Sequence, residues 1–264
     1  MQINGAEIYY EDAGSGPETI VLAHGLLCST RLFDHQVAVF KDRYRCICFD
    51  FRGQGKSEIT RDGYEIDNLT EDAAGLIRAL GVAPCHFVGL SMGGFVGMRL
   101  AARRPELIRS LILMSTSADA EPRAKALGYR VLCLVARWLS MRLTAAPVKR
   151  IMFGKKFRSD PTREAEREEW RQILLRNNPT GATRAARAVF SRPSIYDEID
   201  KIRVPTLILV GAEDAATPPG KALRIHERIA GSRLVVIPDS GHTVTVEEPA
   251  AVNAAVIDFL NNLG

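Results

Sequence analysis

The sequence predicts an α/β protein, with a mostly parallel eight-stranded sheet flanked by helices and a helical cap inserted in the middle of the chain. Three observations predict it. Short continuous apolar runs recur along the chain, as strands buried on both faces require. Most of these runs lead into segments of helical spacing, and that alternation makes a parallel sheet with helices on both sides. From Ala118 to Asp200 strand-like runs lapse and helical periodicity takes over, before the alternation returns near Val204. The boundaries that follow are a core of residues 1–117 and 201–264 and a cap of residues 118–200.

Taken in order, Met1-Gln2-Ile3 and Ala6 to Asp12 flank an Asn4-Gly5 turn and read as an antiparallel start to the sheet. Thr19–Ala23 is the first continuous apolar strand, and Arg45–Asp50 the second. Tyr64 to Leu80 has helical spacing, with Asn68 or Thr70 as starts and Gly81 as a stop. His86-Phe87-Val88-Gly89-Leu90 is a strand that runs into Ser91, followed by a helix from Gly94 to Arg103 that ends before Pro105. Leu111–Met114 is the next strand. Beyond the cap, Thr206–Gly211 and Leu234–Ile237 are strands, with a helix from about Lys221 to Ile229 between them. Pro249 opens a last amphipathic helix to Leu263, at the position where a missing N–H costs nothing.

Composition bounds the function. The 264 residues are 46% hydrophobic and 25% charged, enough for one large core. A formal net charge of +4 calls for neither nucleic acid nor an acidic membrane as a partner. No apolar run is long enough to span a bilayer, and the amino-terminal residues lack the pattern of a signal peptide, so the expected location is cytoplasmic. Cys28, Cys46, Cys48, Cys85 and Cys133 are scattered in apolar segments with no metal-ligand spacing. They read as small buried residues. Cys28, behind a candidate active-site loop, is the one considered for reactivity. No metal or organic cofactor is called for. The chain leaves a homodimer open.

The chemistry-bearing stretch is Gly89-Leu90-Ser91-Met92-Gly93, a G-x-S-x-G pattern between a strand and a helix. So tight a turn predicts a positive φ at Ser91, with side chains excluded at both flanking glycines. The alternative is a glycine-rich turn with a serine cap. A serine nucleophile needs a histidine base, and the histidine needs a carboxylate. Of five histidines, His242 lies past the last strand in Asp239-Ser240-Gly241-His242 and can reach Ser91. Asp214, after the Thr206–Gly211 strand, is the chosen carboxylate, with Glu213 and Asp119 as competitors.

The order Ser91, Asp214, His242 is that of the α/β-hydrolases. Nearly the whole chain resembles that superfamily. The segments Val21-Leu22-Ala23-His24-Gly25, Asp50-x-Arg52-Gly53-x-Gly55-x-Ser57, Gly211-x-x-Asp214-x-x-Thr217-Pro218 and Gly241-His242 are similar to the branch of 3-oxoadipate enol-lactonases, cofactor-free haloperoxidase-like esterases and C–C bond hydrolases. The resemblance implies an oxyanion hole from the backbone N–H groups of Leu26 and Met92, and fixed N–H donors there would stabilise a tetrahedral intermediate. It makes His24 structural. Leu26 stands where many relatives carry an aromatic residue. Phe33 stands where relatives often have tryptophan and is expected to pack beneath that loop. Asp50-Phe51-Arg52-Gly53 is expected to bury an ion pair or turn without a catalytic role. A serine at position 91 sets aside the epoxide hydrolases and haloalkane dehalogenases, which use an aspartate nucleophile.

Leu27 and Trp138 are the candidate substrate contacts. Trp138, Leu139, Met141, Leu143 and Trp170 offer apolar surface for the cap's own core or for the pocket. From Asp119 to Asp200 there are seventeen lysines and arginines against ten acidic residues. That excess, with Lys149-Arg150 and Lys155-Lys156-Phe157-Arg158 prominent, is read either as attraction of an anionic substrate or as a solvated helical face, and Arg192 is a further carboxylate contact to consider. The expected activity is hydrolysis of small to medium carboxylic esters through an acyl-enzyme. Enol-lactone or C–C hydrolysis is the alternative, perhydrolysis is a further activity of relatives, and a ligand sensor with low turnover is the alternative of another class.

Overall fold

Each buried apolar run forms a strand in the computed structural model, which describes residues 1–122, 128, 131, 133–135 and 141–263. Among the described residues there are nine strands: β1 Gln2–Ile3, β2 Ala6–Glu7, β3 Tyr10–Ala13, β4 Thr19–Ala23, β5 Arg45–Phe49, β6 Cys85–Leu90, β7 Ile108–Met114, β8 Thr206–Gly211 and β9 Arg233–Ile237. Seven of them make one sheet in the order β3-β5-β4-β6-β7-β8-β9. Only β3 is antiparallel, opposite β5 with Tyr10 facing Phe49. The order reverses direction beside β4 and β6, where a doubly wound sheet opens a crevice at the carboxyl ends of its strands.

The expected count of eight strands in one sheet is corrected here. β1 and β2 pair only with each other, two residues each. The expected strand Ala6 to Asp12 breaks between β2 and β3. There the backbone N–H groups of Glu7 and Tyr9 go to the side chains of Glu58 and Ser57, at 2.8 and 2.9 Å, rather than to a ladder.

Helices α1 Asp34–Phe40, α2 Ile66–Ala79, α3 Met92–Arg103, α8 Pro219–Arg228 and α10 Pro249–Asn261 cover the sheet. Alternation along each strand divides the core between its two faces. Val21, Ile47, Phe87, Leu111 and Ile208 pack with α2, α3 and α8. Ile20, Cys46, Val88, Ile112 and Leu207 pack with α1 and α10. Cys46 and Cys48 share the second face, as their spacing predicts. Helix boundaries shift by a turn or less. Asn68 and Thr70 lie inside α2, where Thr70 Oγ1 donates to the Ile66 carbonyl at 2.8 Å. α3 starts at Met92, directly after Ser91. Pro249 is the first residue of α10.

Between β7 and β8 the described residues form α4 Met141–Met152, α5 Lys155–Ser159, α6 Glu164–Arg176 and α7 Pro179–Ser191, with no strand among them. Phe153, Phe157, Trp170 and Leu174 from this insertion join the second core, and Phe153 stacks on Phe157 with ring centroids 4.6 Å apart. The short helix α9 Val244–Glu247 follows the last strand.

Candidate active site

β6 delivers Ser91 to the carboxyl edge of the sheet, and α3 leaves from it. Ser91 has φ 53° and ψ −110°, a conformation that side-chain-bearing residues avoid and surrounding structure must impose. Three hydrogen bonds hold it. Its N–H donates to the Met114 carbonyl at 2.9 Å, and its carbonyl accepts from Phe95 N–H at 3.1 Å and Thr116 Oγ1 at 2.8 Å. Close packing explains the flanking glycines. A Cβ at Gly93 would lie 2.0 Å from the Ala23 carbonyl oxygen, and one at Gly89 would lie 2.3 Å from that of Gly93. Gly93→Ala is expected to destabilise the fold by about 2 kcal/mol or more, because backbone on both sides must shift; urea unfolding followed by circular dichroism measures it.

His242 and Asp214 are joined directly, and His242 lines the cavity that Ser91 also lines. His242 Nδ1 lies 2.9 Å from Asp214 Oδ2 and 3.0 Å from Oδ1. The carboxylate also accepts from the N–H groups of Ala216 and Thr217 and from Thr217 Oγ1, each at 2.9 Å. Burial pushes the Asp214 carboxyl up, but the His242 charge and these hydrogen bonds outweigh it and hold the group below its ordinary value. Burial pushes His242 down, and Asp214 more than reverses this, so the imidazole titrates above its ordinary value of 6.5. The competing carboxylates are engaged elsewhere. Glu213 accepts from the Lys155 N–H at 2.6 Å, and Asp119 pairs with Lys221 at 2.7 Å and Arg224 at 3.2 Å.

The loop after β4 lies against the serine, where a Cβ on Gly25 would be 3.3 Å from that of Ser91. Leu27 in this loop has φ 64°. The N–H groups of Leu27, Cys28 and Gly93 donate to Gln54 Oε1, the Gly25 carbonyl and the His24 carbonyl. Among the described residues, no protein acceptor meets the N–H of Leu26 or of Met92. His24 is fixed in one tautomer: Phe51 N–H donates to its Nε2 at 3.1 Å, so Nδ1–H faces the Gly25 carbonyl at 2.6 Å. Burial accordingly lowers its pKa. Phe33 is fully buried in the core below. Asp50 and Arg52 do not pair with each other. Arg52 binds Asp72 at 2.7 Å, while Asp50 accepts from the N–H groups of Thr30 and Lys56. Burial drives the Cys28 thiol up to about 12, which leaves it protonated and removes it as a reactive group at neutral pH.

Two supporting residues escaped the sequence reading. Thr217 is visible only as part of a Thr-Pro turn until its hydroxyl is seen on Asp214. Glu247 is the second. Its buried carboxylate accepts from the N–H groups of Gly154, Gly241 and Thr243 and from Thr243 Oγ1, between 2.7 and 3.1 Å. It thereby ties the histidine loop to the insertion, whose Met152 carbonyl also accepts from the N–H groups of His242 and Thr243. A glutamate five residues after the histidine gives no sequence signal of this. Glu247→Gln is expected to cost about 2 to 4 kcal/mol, since an amide NH2 must then face N–H donors; urea unfolding tests it.

Ser91 and His242 open on one cavity of about 1070 Å³, including its mouth. The core supplies Leu26, Leu27, Leu90 and Phe95, and the insertion supplies Val148, Ile151, Met152, Ala186 and Phe190. Leu27 is therefore placed on the pocket wall. Trp138 lies outside the described residues, as does Leu139. Trp170 faces the insertion's own packing, 6.1 Å from Phe153, and Leu143 is 61% exposed. The basic pairs Lys149-Arg150 and Lys155-Lys156 do not line the cavity, and Lys156 pairs with Glu248 at 2.6 Å. Among the described residues, no group of acidic, histidine or cysteine side chains could hold a metal ion, and no helix is long and apolar enough to cross a membrane.

A serine at a strained strand-to-helix elbow, in a parallel sheet whose last loops bring an Asp–His pair to the same cavity, defines the class. The chain belongs to the alpha/beta hydrolase fold family, which it matches over residues 18–249. It is an enzyme of that superfamily. It is 28% identical to an enol-lactonase from Burkholderia xenovorans LB400, with a TM-score of 0.92 and 98% of each chain covered. It is 30% identical to a thermophilic esterase from Thermogutta terrifontis, with a TM-score of 0.90, covering 98% of this chain and 94% of the other. It is 26% identical to a bromoperoxidase from Bacillus anthracis, with a TM-score of 0.88 over 97% of this chain and 96% of the other. The three names describe different activities on one scaffold, so substrate must be argued from the pocket.

Proposed function

We propose that the protein hydrolyses carboxylic esters of small to medium size through an acyl-enzyme, with Ser91, His242 and Asp214 as the triad. The observation that carries this reading is the Asp214–His242 pair, 2.9 Å apart and facing the cavity that Ser91 also lines. His242 takes the proton from Ser91 Oγ as the oxygen attacks the ester carbonyl carbon. Asp214 fixes the tautomer that leaves Nε2 free, and stabilises the imidazolium. The N–H groups of Leu26 and Met92 receive the oxyanion. Collapse expels the alcohol, which takes the proton from His242. Water, deprotonated by His242, then attacks the acyl group and releases the acid.

An enol-lactone presents the same carbonyl chemistry, and the likeness to the Burkholderia enol-lactonase favours it as the second reading. In both readings the insertion acts as a cap, residues 118–200, over a core of 1–117 and 201–264. Its wall of aliphatic and aromatic side chains takes the substrate's apolar part and excludes water from the oxyanion.

The test is steady-state hydrolysis of p-nitrophenyl esters of graded chain length. Turnover with an optimum at short or medium acyl chains is expected. Absence of turnover across the series, with a purified lactone hydrolysed instead, would replace the first reading by the second.

A further inference from the structure

One ion pair sits in the mostly apolar wall. Among the described residues lining the cavity, Glu121 is the one carboxylic side chain and Arg192 the one guanidinium. Their side chains are 12% and 3% exposed, and Arg192 Nη1 lies 3.3 Å from Glu121 Oε2. The guanidinium is held from other sides as well. Nη1 donates to the Val189 carbonyl at 2.7 Å, Nη2 donates to the Asp119 carbonyl at 3.0 Å, and the group lies 3.9 Å from the centroid of the Phe95 ring.

An arginine on a pocket wall invites the reading of an anion receptor. Here its charge is already balanced and its fork already directed at protein acceptors. A substrate carboxylate entering this wall would add a second anion beside Glu121, inside low-dielectric surroundings, and among the described lining residues Arg192 is the one cation it could meet. Lys149, Arg150, Lys155 and Lys156, the most prominent basic residues of the insertion, stand off the cavity.

We propose that Glu121 neutralises Arg192 so that the pocket accepts esters whose enclosed part is uncharged and excludes those that carry a carboxylate there. The proposal deepens the ester-hydrolase reading by naming its substrate class, and its kinetic arm rests on that reading. Glu121 is then a specificity-determining residue. Removing its charge leaves a desolvated cation on the wall and turns the same pocket toward monoanionic esters.

The experiment compares mono-p-nitrophenyl glutarate with its neutral methyl ester, and phenyl with carboxyphenyl hexanoate, so that the charge is presented from either side of the ester. The readout is the ratio of kcat/KM for the neutral and the anionic member within each protein. In the wild type the neutral member is expected to be preferred about 100-fold, as fits a desolvated unpaired charge. In Glu121→Gln the ratio is expected to fall at least about tenfold, from new pairing with Arg192. Glu121→Ser serves if the glutamine variant does not fold. The double variant Glu121→Gln/Arg192→Met, with neither charge, should keep the high ratio. Equal rates for neutral and anionic esters in the wild type, or the same fall in the double variant, would overturn the proposal. Binding is read separately from catalysis in Ser91→Ala, through the melting shift each ester produces. A preference for the neutral ligand there, without turnover in the wild type, would uphold the pocket's selectivity and refute ester hydrolysis. Equal shifts from both ligands would refute the selectivity alone.

Discussion

Ser91→Ala is expected to lower kcat/KM for a p-nitrophenyl ester by about 10⁵-fold or more, to within a few orders of magnitude of the uncatalysed rate. The change removes one oxygen from a residue whose backbone does the structural work. The elbow is held through the Ser91 N–H and carbonyl, bonded to Met114, Phe95 and Thr116, and none of these contacts uses the hydroxyl. The variant should therefore fold with the wild-type melting temperature and still bind substrate. What disappears is the burst of p-nitrophenol that marks formation of the acyl-enzyme. Equal turnover in both proteins would remove Ser91 from the mechanism. A variant that loses activity and also melts far lower would show only that the elbow was disturbed, and Ser91→Gly, with its freer backbone, would then be measured in its place.

The elbow of the candidate site is legible in the sequence to the extent that local geometry forces residue type. Gly89 and Gly93 are compelled by carbonyl oxygens near 2 Å from any Cβ, and the positive φ of Ser91 follows from the same crowding. The strands were legible because burial on both faces leaves a continuous apolar run, and their alternate residues divide between two cores as expected. What the sequence did not give is whatever depends on partners far along the chain. Arg52 reaches Asp72 rather than Asp50, and Glu247 bonds Gly154, 93 residues away. Neither residue's own neighbours specify such a choice. The first hairpin's place in the fold escapes the sequence pattern for a related reason. A two-residue strand carries too little pattern to say whether it continues into the main sheet, and that is settled by where the Glu7 and Tyr9 N–H groups find acceptors. The surplus of basic residues in the insertion is a third case. Composition counts charge, but only the fold shows that Lys149, Lys155 and Lys156 stand off the cavity while Arg192 lines it and is already paired with Glu121.

Asp214→Asn should lower kcat about 10⁴-fold while leaving KM little changed. The substitution keeps the size of the side chain and exchanges one carboxylate oxygen for an NH2 group. Asp214 accepts everything it binds: His242 Nδ1–H, two backbone N–H groups and the Thr217 hydroxyl. An amide nitrogen facing Nδ1 would donate to it, so the proton moves to Nε2, the atom that the proposed mechanism needs free to take the proton of Ser91. The pH profile separates this tautomer effect from a loss of structure. In the wild type His242 is held above its ordinary value by Asp214 against the opposing pull of burial, and under the proposed mechanism it acts as a base only when neutral. Activity should therefore fall on the acid side with an apparent pKa above the ordinary histidine value. In Asp214→Asn burial acts unopposed by that charge, and the residual activity should lose its acid limb to a lower pH. A variant that keeps the wild-type acid limb would show that Asp214 does not set the ionisation of His242, and the carboxylate of Glu247, which also raises that pKa, would take its place as the group to change.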